Sequence, residues 1–276
     1  MHAAPSPSLP LPRLAWGRGF SVPALLDEDL FAVTGVRIAF TCRDGGVSAP
    51  PYAGLNLGSH VGDDARDVAA NRARLMAAFG CQDARLVVPH QVHGDAVVSL
   101  DDAASCEAAV AQAREAADAL VVRDARIAAL LCFADCVPVI IVAPDGSFAV
   151  VHAGWRGVMN RIVVKAALDL VGGDASRLSG CNAYIGPHIG TCCFEVDEEL
   201  AARFAATFGD GCVRGTRHVD MARALAADLS KAGMDERRIC DAGLCTYEDR
   251  RFYSYRREGG TCGRQGAFAC RMKDRR

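Results

Sequence analysis

A cysteine and a histidine bracket two short apolar runs near the middle of the chain. Cys136 precedes Val137–Val142, and His152 follows Phe148–Val151. Both runs are apolar and rich in β-branched residues, and Pro144-Asp145-Gly146 between them carries turn chemistry, so the segment is expected to form a β-hairpin. A hairpin returns its outer ends to one rim, which makes Cys136 and His152 neighbours. A thiol beside an imidazole is either part of a metal site or a nucleophile with its base. Catalytic zinc takes three protein ligands and leaves one position open, so a third donor is required. His93, followed by Gly94, is the best candidate; His90, in the same His-x-x-His, competes with it. Arg156 lies in the turn Gly154-Trp155-Arg156-Gly157, and Arg43 stands at the mouth of another glycine turn. A guanidinium fork matches phosphate oxygens, so both are candidates for holding an anionic substrate.

Several familiar signatures are missing. There is no H-x-E with P-C-x-x-C, as zinc deaminases carry. No GxGxxG or Walker loop is present, nor a pair of C-x-x-C motifs for structural zinc. A His-Cys-His set also suits a blue-copper centre, so copper stands as the alternative metal. However, none of the seven histidines forms the H-x-H pair that a multinuclear copper cluster uses.

The elements that must position these residues alternate irregularly. Strands are expected at Val36–Thr41, Leu86–Pro89, Ala96–Leu100, Asp118–Val122, Ile127–Phe133 and Asn182–Ile185. Helices are expected over Ala65–Phe79, Ala103–Ala117 and Arg161–Val171, with two more starting at Asp197 and Asp220. Pro50–Gly62 is a long loop, of a kind that is usually functional. Hairpins mixed with helices point to an α+β domain of mixed sheets covered by helices, not a parallel doubly wound one. Residues 1–30 are Pro-rich and expected to be weakly ordered, and the Arg271–Arg276 run is expected to be a solvated end.

Composition narrows the setting. Of 276 residues 51% are hydrophobic but only 7% aromatic, so the core must be largely aliphatic. A net charge of -2 without a basic stripe argues against nucleic acid. No apolar run reaches membrane-spanning length. Thirteen cysteines is an odd count, and no secretory leader is visible, so free thiols in a reducing cytoplasm are expected. Cys193, Cys212, Cys240 and Cys270 are expected to act as small core hydrophobes, as is Cys132.

Taken in order, the segments TCRDGGVS, GLNLGSHVGDD, HQVHGDAVV, ADAL, ADCVPV, HAGWRG, IGPHIGTCCFEV and FYSYRREGGTCGRQGAF resemble the YfiH-type laccase-domain family. Its members are also called polyphenol oxidases or purine nucleoside phosphorylases. The resemblance covers about residues 33–270; Cys42 and Cys262 interrupt the usual spelling of two motifs. It implies one catalytic domain over 31–276, a three-layer α/β/α arrangement with a mixed β-sheet. It implies zinc held by His93, Cys136 and His152, with Cys136 and His152 at the centre of catalysis. Arg43, Asn56, Arg156 and Arg264 are the expected substrate-binding residues. The implied activity is phosphorolysis of adenosine, inosine, guanosine and methylthioadenosine, with adenosine deamination beside it. Copper-dependent polyphenol oxidation and Cys-His hydrolysis of peptidoglycan precursors are the alternatives. The expected partners are purine nucleosides and phosphate, in a monomer or weak homo-oligomer.

Overall fold

The computed structural model describes residues 8–272. Along the chain run β1 (Ala15–Trp16), β2 (Ala24–Leu26), α1 (Glu28–Thr34), β3 (Val36–Thr41), α2 (Ala65–Ala78), β4 (Arg85–Val87), β5 (Val97–Leu100) and α3 (Glu107–Glu115). Then come β6 (Ala119–Val122), β7 (Ile127–Phe133), β8 (Val137–Val142), β9 (Phe148–Ala153), α4 (Trp155–Met159), α5 (Ile162–Leu170), β10 (Asn182–Ile185) and α6 (Glu198–Phe208). The last part holds β11 (Val213–Arg214), β12 (His218–Val219), α7 (Met221–Lys231), β13 (Ile239–Asp241) and β14 (Gln265–Arg271).

Sequence chemistry accounts for the ends of these elements. Asp64, Asp197 and Asp220 each cap a helix by accepting a backbone N–H of its first turn. Gly80, just beyond α2, has φ 69°, the left-handed conformation that ends a helix cheaply. In the β8–β9 turn Gly146 has φ 80°, and the Asp145 carboxylate accepts the Ser147 N–H at 2.9 Å.

Twelve of the strands form two six-stranded mixed sheets, ordered β1-β2-β3-β14-β7-β4 and β13-β10-β8-β9-β6-β5. The class is α+β with mixed sheets, as the sequence suggests, but the layers number four and not three. Ile38, Phe40, Leu131 and Phe133 of the first sheet pack against Leu120, Ile140, Val150 and Tyr184 of the second. The outer face of the second sheet, including Val139, Ile141 and Val151, is covered by Ile162 and Ala166 of α5 and Leu225 of α7. Leu75 and Met76 of α2 cover Leu130 and Phe268 on the first. The result is α/β/β/α. The chain passes between the sheets four times, at β4–β5, β6–β7, β7–β8 and β13–β14.

Three further expectations change. Of the segment 1–30, residues 1–7 lie outside the described residues, while β1 and β2 join the first sheet and Leu9 and Val22 are buried. Of the Arg271–Arg276 run, Arg271 ends β14 and residues 273–276 lie outside the described residues. Cys81 and Cys270 are joined as a disulfide, so Cys270 is not a free core thiol; the other eleven cysteines are free.

Candidate metal centre

The hairpin does what its ends require. β8 and β9 pair with Val137 opposite Ala153 and Pro138 opposite His152, which brings Cys136 to the His152 end. Along β9, Phe148, Val150 and His152 share one face, the one turned to the other sheet. His152 is 3% exposed there, at the rim where the core stops. Cys136 sits on the β7–β8 passage and His93 on the β4–β5 passage. One ligand atom from each of His93, Cys136 and His152 lies within 4.8 Å of the other two. The two imidazoles meet edge-on, with ring centroids 4.9 Å apart.

A fully buried carboxylate holds this set together. His152 Nδ1 donates to Asp118 Oδ1 at 2.7 Å, which leaves Nε2 to face the thiol or an ion. Asp118 also accepts the backbone N–H groups of His93 at 3.0 Å and Gly94 at 2.8 Å. One side chain thus orients one imidazole and fixes the loop that carries the other. His93 has φ 59° and Asp135, beside Cys136, φ 89°. They are two of the three non-glycine residues with positive φ among the described residues, and such strain concentrates at functional sites. Gly154 leaves the space that the centre needs: a Cβ there would stand 3.3 Å from His93 Cδ2 and 3.5 Å from Cys136 Sγ.

The electrostatics favour the deprotonated thiol. Burial opposes ionisation of Cys136, but the charge of His152 and hydrogen bonds from His152 and His93 outweigh it and bring the thiol down to about 6. His152 is raised to about 9: burial works against its charge, and Cys136 and Asp118 overcome that. Burial likewise resists the charge of Asp118, and the His152 contact with the loop N–H groups holds it below the usual carboxylate value. A thiolate with two imidazoles is a borderline-soft donor set that fits zinc or copper and disfavours magnesium or calcium.

The three donors form the floor of a cavity of about 440 Å³, a size suited to a small organic ligand. Its walls carry Arg156, Arg256 and Arg264, the rings of Phe194 and Tyr255, and His60. The single lining carboxylate, Asp135, is already occupied: it accepts Thr246 Oγ1 at 2.7 Å and the Arg256 N–H at 2.7 Å. Three guanidinium groups against this one carboxylate leave the cavity positive on balance. His60 responds to it: burial first, then the charge of Arg264, lowers its pKa.

The model of the family described as multi-copper polyphenol oxidoreductase laccase matches residues 37–272. The chain belongs to this family. A protein of Corynebacterium glutamicum named purine nucleoside phosphorylase is 39% identical over 245 residues, covering 87% of this chain and 96% of that protein. One of the same name from Deinococcus radiodurans is 40% identical over 233 residues, covering 83% and 87%. Among solved structures, Bacillus licheniformis YfiH, described as a hypothetical protein, aligns with TM-score 0.81 at 27% identity, covering 93% of this chain and 99% of that one. YlmD of Geobacillus stearothermophilus aligns with TM-score 0.79 at 33% identity, covering 87% and 93%.

In this laccase-family chain the residues singled out from sequence divide into two groups. His93, Cys136 and His152 converge, and Arg156 and Arg264 line the cavity above them. His90 is exposed and bonds through Nδ1 to the Glu115 carbonyl at 3.0 Å, apart from the donor set. Arg43 and Asn56 do not line the cavity. Arg43 pairs with Glu258 at 2.9 Å and lies over the Tyr253 ring. Asn56 is buried, and its Oδ1 accepts the Arg264 N–H at 2.9 Å, so it supports an arginine that does line it. Cys193 and Cys240, expected in the core, are only half-buried. Asp118, Arg256 and Gln91 escaped the sequence reading. Gln91 exchanges two 2.8 Å hydrogen bonds with the Cys132 backbone and so docks the His93 loop on β7. The one signal for Asp118 is a carboxylate at the start of an otherwise uncharged strand.

Proposed function

We propose that this chain is a zinc-dependent purine nucleoside phosphorylase, with slower deamination of adenosine at the same site. The observation that carries the reading is a Cys-His-His donor set on the floor of a cavity walled by three arginines. The relatives' names supply the substrate class. Adenosine, inosine, guanosine and methylthioadenosine share a purine that Phe194 and Tyr255 can flank and a ribose that reaches towards the floor. Arg156, Arg256 and Arg264 would hold phosphate while an oxygen attacks C1′. The C1′–N9 bond then breaks, and its electron pair leaves with the base, which takes a proton. Bound zinc would supply a Lewis acid at the floor. Asp118 keeps His152 oriented throughout, and Asp135 holds the Arg256 backbone.

Chromatography of adenosine incubated with the zinc-loaded protein, with and without phosphate, tests this. Adenine and ribose 1-phosphate should form only with phosphate. Phosphate-independent adenine release, or no turnover of any nucleoside, would overturn it. Arg156→Ala should weaken phosphate use about ten- to a hundredfold, the worth of a charge-assisted hydrogen bond, and spare deamination.

A second reading has its own observation. Cys136, His152 and Asp118 stand in the order of a nucleophile, its base and an orienting carboxylate. A metal-free cysteine hydrolase would use them so, and peptidoglycan precursors are its proposed substrates. Metal analysis of protein purified without added metal, compared with His93→Ala, separates the two: one zinc per chain lost with His93 supports the phosphorylase, and a metal content that His93→Ala leaves unchanged supports the hydrolase.

A further inference from the structure

Three thiols outside the donor set also converge. Cys192 and Cys193 lie in the loop after β10, and Cys245 in the passage from β13 to β14. Their sulfur atoms all lie within 4.8 Å of one another, with 3.3 Å between Cys192 and Cys193. All three are free, and Cys192 is exposed.

The backbone that presents them is tied from both sides. His188 N–H donates to the Leu244 carbonyl at 3.1 Å, and Thr246 N–H donates to the His188 carbonyl at 2.8 Å. The loop then turns back on itself, with the Cys193 and Phe194 N–H groups both donating to the Gly190 carbonyl at 2.9 Å. Gly190 N–H donates to Cys245 Sγ at 3.2 Å. A Cβ on Gly190 would stand 3.3 Å from Cys192 Sγ and 3.6 Å from Cys245 Sγ, so the absence of a side chain leaves the sulfurs room.

We propose that Cys192, Cys193 and Cys245 form a second metal site, taking one soft d10 ion through three thiolates, separate from the His93-Cys136-His152 centre. Sulfurs about 2.3 Å from a shared zinc stand roughly 3.8–4.0 Å apart, between the 3.3 Å and 4.8 Å that bound this cluster. An all-sulfur set selects zinc, cadmium or cuprous copper over oxygen-loving cations. Ile189 and Phe194 of the same loop line the large cavity. An ion here would tether that wall to the segment holding Thr246, whose hydroxyl donates to Asp135. The proposal does not depend on the nucleoside reading.

The test uses full-length, reduced, metal-stripped protein carrying Cys136→Ser, which removes the only thiolate of the first centre. Cadmium titration should raise the sulfur-to-cadmium charge-transfer absorption and saturate at one equivalent. Cys192→Ser, at an exposed side chain, should weaken this binding at least tenfold and reduce the saturating absorption. The triple change Cys192→Ser, Cys193→Ser, Cys245→Ser should abolish it. No absorption in the Cys136→Ser protein, or absorption unchanged by Cys192→Ser, would overturn the proposal. Zinc counting in otherwise unmodified protein, two equivalents falling to one with Cys192→Ser, is the independent measurement should the triple variant not fold.

Discussion

Asp118 Oδ1 and His152 Nδ1 stand 2.7 Å apart beneath the cavity floor, the carboxylate being 0% and the imidazole 3% exposed. The same carboxylate receives the N–H groups of His93 and Gly94. It therefore touches no substrate and still sets two of the three donors.

Asp118→Asn keeps the shape and removes the charge. Metal affinity should fall about ten- to a hundredfold, the usual effect of losing the carboxylate behind a ligating histidine, as read by chelator competition. The acid limb of stability should change too. A carboxylate with a depressed folded pKa contributes stability above its ordinary pKa and loses it as pH falls through the folded value. Metal-free native protein should thus lose more stability than Asp118→Asn below about pH 4. Equal losses in a denaturant series would count against the charge on Asp118.

Cys136 should be a thiolate at neutral pH in the metal-free protein. Its folded pKa is depressed to about 6 from 9.0, so the reactive form appears as pH rises through about 6. Cys42, Cys132, Cys181 and Cys262 are pushed by burial to about 11. Alkylation followed by peptide mass analysis should therefore label Cys136 ahead of those four at pH 7, with a midpoint near 6. In His152→Ala the midpoint should climb towards that of an ordinary thiol, because the positive partner is gone.

Gly154→Ala should damage the centre with little effect on the fold. The backbone there is ordinary, with φ -72°, so the cost is purely steric. The added methyl meets Cys136 Sγ at 3.5 Å, an ordinary contact, but His93 Cδ2 at 3.3 Å, so the His93 ring must give way by a few tenths of an ångström. Overpacking costs about 1–3 kcal/mol, and here it falls on a donor. Metal content should drop while far-UV circular dichroism stays unchanged.

Gly58→Ala separates phosphate binding from the metal. Its Cβ would lie 2.7 Å from Arg264 Cγ and 3.1 Å from Arg264 Cβ, so Arg264 must leave its place on the cavity wall. The expected result is a KM for phosphate raised about tenfold, in line with a lost charge-assisted bond, with metal content as before. A parallel loss of metal would mean that the change reaches the donors.

Much of this was legible in the sequence, for reasons that also explain what was not. Turn chemistry and β-branched runs are local signals, so the hairpin and the meeting of Cys136 with His152 could be read directly. The helix caps at Asp64, Asp197 and Asp220 are equally local. The second sheet was hidden because every residue of β7, β8 and β9 is buried. With both faces covered no alternation remains to tell which neighbour covers which face. Asp118 was hidden because its partners lie 24 to 34 residues away. Nothing in Phe252–Glu258 distinguishes Arg256, which lines the cavity, from Arg257, which donates to the carbonyls of Thr246 and Phe252.

The four passages between the sheets carry a mechanical meaning. Three of them, at β4–β5, β7–β8 and β13–β14, line the cavity. His93 and Cys136 stand on two different ones, and His152 projects from the sheet on which both of those land. An ion gripped by all three would be a rivet through the seam of the sandwich. Sliding one sheet over the other would then require the rivet to shear first. Stripping the ion should therefore quicken unfolding in denaturant as well as silence the chemistry.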